Sequence, residues 1–127
     1  MEDGKADMMS AILKIKRIYA APGAEDGYRV LVDRLWPRGM TKVDAQLDQW
    51  GKSLAPSSDL RKGWNHDPER FAEFARFYRR ELDQNPHVDE FLEVLDAQQT
   101  VTLLYAAKDE KVNHAVVLRD YLLDQVD

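Results

Sequence analysis

The chain has no cysteine among its 127 residues. That excludes disulfides, thiolate metal ligands and cysteine nucleophiles, so any covalent chemistry needs another residue type. Histidine is scarce too, at three. His66 beside Asp67, and Asp109 with His114, do not match a tight ligand spacing such as two histidines one helical turn apart; no metal site is expected and no cofactor is indicated. Neither a Gly-x-Gly-x-x-Gly fingerprint nor a P-loop occurs, which removes the usual phosphate-cradling motifs. The longest mainly apolar runs, Val30 to Val32 and Val101 to Ala107, fall far short of the roughly 20 residues that span a bilayer, so no membrane partner is expected. Positive charge is also in deficit. A net charge of −5 repels polyanions and counts against nonspecific nucleic-acid binding.

What is present is an ordinary globular composition, 44% hydrophobic and 32% charged. The length suits one core, expected over residues 11–127. Met1 to Ser10 is polar, aperiodic and unlike a secretory signal, so it reads as a flexible leader, and the cytoplasm is the default compartment. Nothing in the pattern specifies an oligomeric state.

Leu13, Ile15 and Ile18 suggest a strand with one solvated face, perturbed near Arg17. After a Pro22–Gly27 loop, Tyr28 to Leu35 reads as a second strand, with Val30–Val32 buried on both faces. Pro37 should end it and turn the chain outward. Thr41-Lys-Val-Asp44 resembles a capping box, so a helix is expected from Lys42, although Gly51 leaves residues 42–54 open between helix and short strand. Ser58 is the expected cap of a short helix through Trp64, and Asp67-Pro68 opens a helix whose face carries Phe71, Phe74, Tyr78 and Leu82. A helix over His87–Gln98, a central strand over Thr100–Ala107 and a last helix over Asn113–Leu123 complete the order. Strands alternating with helices predict an α/β fold, a small open and mainly parallel sheet with helices packed on its faces.

In such sheets ligands bind beyond the carboxyl ends of the strands. Two strand ends here are polar: Asp33-Arg34 with Arg38, and Lys108-Asp109 with Asn113-His114. If the two strands are neighbours, these residues share a rim. Arg34, Arg38, Lys108, His66 and Asn113 are the candidate ligand-binding residues, because arginine forks carboxylates or phosphates and a helix starting at Asn113 aims free amides at an anion. Asp33, Asp109 and His114 are the candidate proton-handling, catalytic residues. The competing reading ties Arg34 and Arg38 into structural bonds to a carboxylate or a main-chain carbonyl. Trp36, Trp50 and Trp64, with Phe71, Phe74 and Tyr78, read as core and rim packing.

The segment Tyr28-Arg-Val-Leu-Val-Asp-Arg-Leu-Trp-Pro-Arg-Gly39 closely resembles the signature of the YeaO-like proteins, the short branch of domain of unknown function 488. Leu54-Ala-Pro-Ser, Leu60-Arg-Lys, His66-Asp-Pro, Val101-Thr-Leu-Leu-Tyr-Ala-Ala-Lys-Asp and Asn113-His114-Ala115 resemble it in the same order, so the likeness covers nearly everything from Leu13 onward. It supports the fold and the location of the site without supplying an activity. Longer relatives in the wider family carry Asp-Val-Arg after the early strand and Cys-His-Arg after the late one. By that likeness Asp33 and Arg34 match the first motif and His114 the second, while Asn113 stands where those relatives have cysteine and Ala115 where they have arginine. Thiol chemistry is thereby excluded.

Two functions fit the sequence. The first is an anion- or phosphate-binding α/β protein, with or without catalysis, taking a small anionic ligand. The second is a non-catalytic adaptor or regulatory module whose exposed Trp36 and arginines dock another protein.

Overall fold

The computed structural model describes residues 11–126; the leader expected over Met1–Ser10 lies outside them. Four parallel strands form one open sheet in the order β1-β4-β2-β3: β1 (Ile12–Arg17), β2 (Tyr28–Leu31), β3 (Gln49–Trp50) and β4 (Thr100–Tyr105). The helices are α1 (Lys42–Ala45), α2 (Ser58–Trp64), α3 (Phe71–Asp83), α4 (His87–Ala97) and α5 (His114–Gln125). The α/β expectation is met, and the two strands with apolar residues on both faces, β2 and β4, are the central pair.

The two sheet faces are covered unequally. Val30, Val32, Leu103 and Tyr105 meet Phe74, Tyr78 and Leu82 of α3, Phe91 and Leu95 of α4, and Leu118 and Leu122 of α5 in one large core. On the other face Leu31 and Leu104 form a smaller buried cluster with Ile18 and Ala45, with Trp36, Met40, Leu47 and Ala106 packed around it. Trp36 is half-buried there, its indole N–H donating to Met40 O at 2.6 Å and its ring set edge-on to Trp50. It is a packing residue.

Several boundaries differ from the sequence reading. β2 ends at Leu31 rather than Leu35, although Val32 N still donates to Leu104 O at 2.9 Å. Residues 42–54 are neither all helix nor all strand. Thr41 Oγ1 accepts from Asp44 N and starts one turn, left-handed Gln46 ends it, and a two-residue edge strand and a 3-10 turn over Lys52–Leu54 follow. Ser57, not Ser58, caps α2, its Oγ accepting from Leu60 N at 3.1 Å. Asp67 caps a 3-10 turn leading into α3, as Asp-Pro predicts.

A buried ionic network ties the opposite end of the sheet, and the sequence reading missed it. Arg29, inside β2, donates through Nη1 to Asp26 Oδ2 at 2.6 Å and through Nη2 to Ala45 O at 2.7 Å, while Lys16 Nζ reaches Asp26 Oδ1 at 2.9 Å. Burial alone would raise the Asp26 carboxyl, but hydrogen bonds from Gly23 N, Lys16 and Arg29 outweigh it and hold it below the usual carboxylate range.

Candidate functional site

Because β2 and β4 are parallel neighbours, both chains leave the sheet at the same edge, and the polar segments after them converge. Asp33 Oδ2 accepts from Ala106 N at 3.1 Å, stitching the two strand exits together. His114, the first residue of α5, places Nε2 3.0 Å from Val32 O and 3.1 Å from Asp33 Oδ1. Both neighbours are acceptors, so Nε2 carries the proton. That N–H is aimed at the Val32 carbonyl, and Asp33 Oδ1 lies alongside, buried and without a hydrogen bond of its own.

These groups line a cavity of about 520 Å³. One wall is Asp33, Arg34, His114 and Ala106–Asp109; the other is built from Ala55, Pro56, Arg61, Trp64 and His66. The second wall is held by α3. Tyr78, fully buried, donates its hydroxyl to Leu54 O, and burial pushes that phenol well above its ordinary range. Glu81 accepts from both Ser57 N (2.9 Å) and Ser57 Oγ (2.6 Å), which fixes the start of α2 and so the helix that carries Arg61 and Trp64. Trp64 stacks on Phe74 with ring centroids 4.1 Å apart and donates Nε1 to Asp67 O. Ser57→Ala should therefore lower stability by about 1 kcal/mol through loss of the cap. A melting curve and the near-UV signal of Trp64 check this; an unchanged Tm would show that α2 does not depend on that cap.

Beyond Trp64 the chain bends sharply. Asn65 and His66 both have positive φ, 51° and 57°, a conformation unfavourable for histidine. The bend sets His66, exposed, at the cavity mouth 5.1 Å from the Trp64 ring.

Of the residues singled out in the sequence, the structure brings Asp33, Arg34, His66, Lys108, Asp109 and His114 to this cavity. Two lie outside its lining. Arg38 is exposed after the outward turn at Pro37, where its carbonyl accepts from Tyr19 Oη at 2.7 Å. Asn113 is buried as the cap of α5, its Oδ1 accepting from Val116 N and its Nδ2 donating to Asp109 O. Others reach the cavity but are committed elsewhere. Arg34 donates to Pro56 O (3.2 Å) and Ala55 O (3.3 Å), the structural use of this arginine. Asp109 Oδ1 accepts from Val112 N and Lys111 N, and these bonds hold its carboxyl below the usual range.

The residue that sequence reasoning missed is Arg61. Its Nε is buried without a hydrogen-bond partner in the cavity wall. The signal available was the Leu60-Arg-Lys motif on a short helix, which by itself shows only a positive cluster. Among the described residues, no three histidine, cysteine or acidic side chains converge to hold a metal ion. Nor is any helix there long and apolar enough to cross a membrane.

The family model described as the inactive DUF488-N3 subclade matches residues 12–127. The chain belongs to this subclade. It is 44% identical to the uncharacterized protein YeaO of Escherichia coli (strain K12) over 110 residues, 87% of this chain and 96% of YeaO. It is 40% identical to the uncharacterized proteins Mb3100c of Mycobacterium bovis and Rv3073c of Mycobacterium tuberculosis, covering 87% of this chain and 92% of each. No solved structure gives a significant match. Membership in the DUF488-N3 subclade agrees with the resemblance read from the Tyr28–Gly39 signature.

Proposed function

We propose that this protein is a non-catalytic receptor for a small organic anion, bound in the cavity beyond the carboxyl ends of β2 and β4. The observation that carries this reading is Arg61, a residue of the cavity lining whose buried Nε has no hydrogen-bond partner among the described residues. Leaving such a group unpaired is costly, and a bound anion satisfies it. Lys108 and the Arg34 guanidinium add positive potential at the same place.

Binding is favoured over catalysis because three of the positions suited to chemistry are already committed. Asn113 caps a helix where the wider family carries a thiol, Asp109 anchors a turn, and the His114 Nε2–H is aimed at the Val32 carbonyl. The description of the subclade as inactive agrees. Trp36, the anchor that an adaptor would use, has its indole N–H paired and its ring packed against the thin side of the sheet, which weakens the alternative.

A thermal-shift panel of phosphate, phosphomonoesters and small carboxylates tests the reading, on the native sequence and on Arg61→Gln. A ligand present at one hundred times its Kd stabilises the native state by about 2.7 kcal/mol, a rise of roughly 10 °C for a domain of this size. Arg61→Gln should leave the unliganded Tm within about 2 °C, since the lost Nε makes no hydrogen bond, and should abolish the shift. A shift of equal size in the variant, or none in either protein, would overturn the proposal.

A further inference from the structure

Two residues lining the cavity each carry a buried, unpaired polar atom, of opposite kind, and together they define a ligand more narrowly than the cavity's cations do. Granting the anion reading above, we infer that the ligand has an apolar body and carries an N–H donor for Asp33 as well as an anionic group for Arg61. The first argument is size. A space of about 520 Å³ lies within the range of small-molecule sites, and an inorganic oxyanion would leave most of it empty. The second is composition. More than half the lining residues are apolar, among them Leu35, Pro56, Trp64 and Phe74, and these favour hydrocarbon or ring surface over a wholly ionic group.

The third argument is the acceptor. Asp33 Oδ2 is paired with Ala106 N, but Oδ1 is buried with no hydrogen bond, because the His114 Nε2–H 3.1 Å away is directed at Val32 O. A bare anion placed in the cavity would be repelled by that oxygen. An amine, amide or ring N–H would pair with it. Asp109, the other carboxylate of the cavity, accepts two backbone amides through Oδ1 and is exposed to water, so the buried acceptor left for a ligand is Asp33. The ligand thus carries, on an apolar body, a donor for Asp33 and an anion for Arg61.

Two series of compounds separate the sources of this chemistry by isothermal titration. The nucleotide series is adenosine 5′-monophosphate, purine riboside 5′-monophosphate, which lacks the amine, and adenosine, which lacks the anion. The amino-acid series is L-phenylalanine, 3-phenylpropionate and phenethylamine. In at least one series the complete compound should bind roughly 10-fold or more tighter than its donor-less partner, the worth of a hydrogen bond to a charged group. In Asp33→Asn that ratio should fall to near one, while Arg61→Gln weakens both members. Equal binding of complete and donor-less compounds by the native protein would overturn the inference and leave the anion reading standing; this comparison needs no variant to fold. No binding by any phosphate or carboxylate of either series would overturn both.

Discussion

Arg29→Leu should cost about 3 to 5 kcal/mol of folding stability, the loss expected when one partner of a buried ion pair is removed and the other is left behind. The variant loses four bonds at once: Nη1 to Asp26 Oδ2, Nη2 and Nε to Ala45 O, and Nε to Gln46 O. The two carbonyls end α1, so their donor is also the fastening of that turn over Leu31 and Leu104. Urea unfolding with an unchanged m-value is the measurement. The double variant Asp26→Asn/Arg29→Leu should be less destabilised than the sum of the singles, because each single already loses the Asp26–Arg29 contact and the double loses it only once. A loss below about 1 kcal/mol in Arg29→Leu would mean that the network adds nothing beyond packing.

The same network sets an acid limb. The folded Asp26 carboxyl is held below its ordinary value, so its contribution is fully present above the unfolded titration near pH 4. It is lost as pH falls further, through the lowered folded value. Removing Arg29 takes away one of the groups that lower it, so acid unfolding of the variant should begin at a higher pH than in the native protein.

Asp26 and Arg29 show where sequence pattern stops. Asp26 reads as a loop residue and Arg29 as one of several scattered cations, since periodicity reports apolar spacing and carries no record of which charge meets which carbonyl. Arg29 sits in a strand otherwise buried, and only the fold shows that a loop three residues before it and a helical turn sixteen residues after it supply its partners. The strand-end cluster was legible for the opposite reason. Continuous apolar runs mark β2 and β4 as central, parallel strands end at one edge, and the polar residues following each run must therefore meet. That logic reaches Asp33, Lys108, Asp109 and His114. It cannot reach the facing wall. Arg61 and Trp64 arrive on a helix whose placement depends on Tyr78 meeting Leu54 and Glu81 meeting Ser57, long-range contacts with no periodic signature. Arg38 fails for a local reason, because the turn at Pro37 that ends the strand also carries Arg38 away from the rim.

Gly27→Ala should be about as damaging as the loss of Arg29, roughly 3 to 5 kcal/mol, for a reason that involves no charge. Gly27 has φ 64° and ψ −132°, a region that residues with a Cβ reach only at a cost of about 1–3 kcal/mol. Its added methyl would lie 2.4 Å from Thr100 O and 2.8 Å from Thr100 Cβ, and the first of these is backbone that no rotamer change can move. Thr100 opens β4, and Tyr28 pairs with Val101, so relief requires the start of β2 to withdraw from β4. Gly39→Ala is the control. Gly39 also has positive φ, 77°, but a methyl there meets nothing within 4 Å, so it bears the backbone strain without the clash. Its loss should stay near 1 to 2 kcal/mol. The difference between the two variants measures how tightly the central strands must approach, and equal losses would show that conformation alone, not the contact with Thr100, is the reason for glycine at position 27. Because the same strand pair delivers Asp33 to Ala106 at its other end, a Gly27→Ala protein that remains folded should also lose the anion-dependent thermal shift.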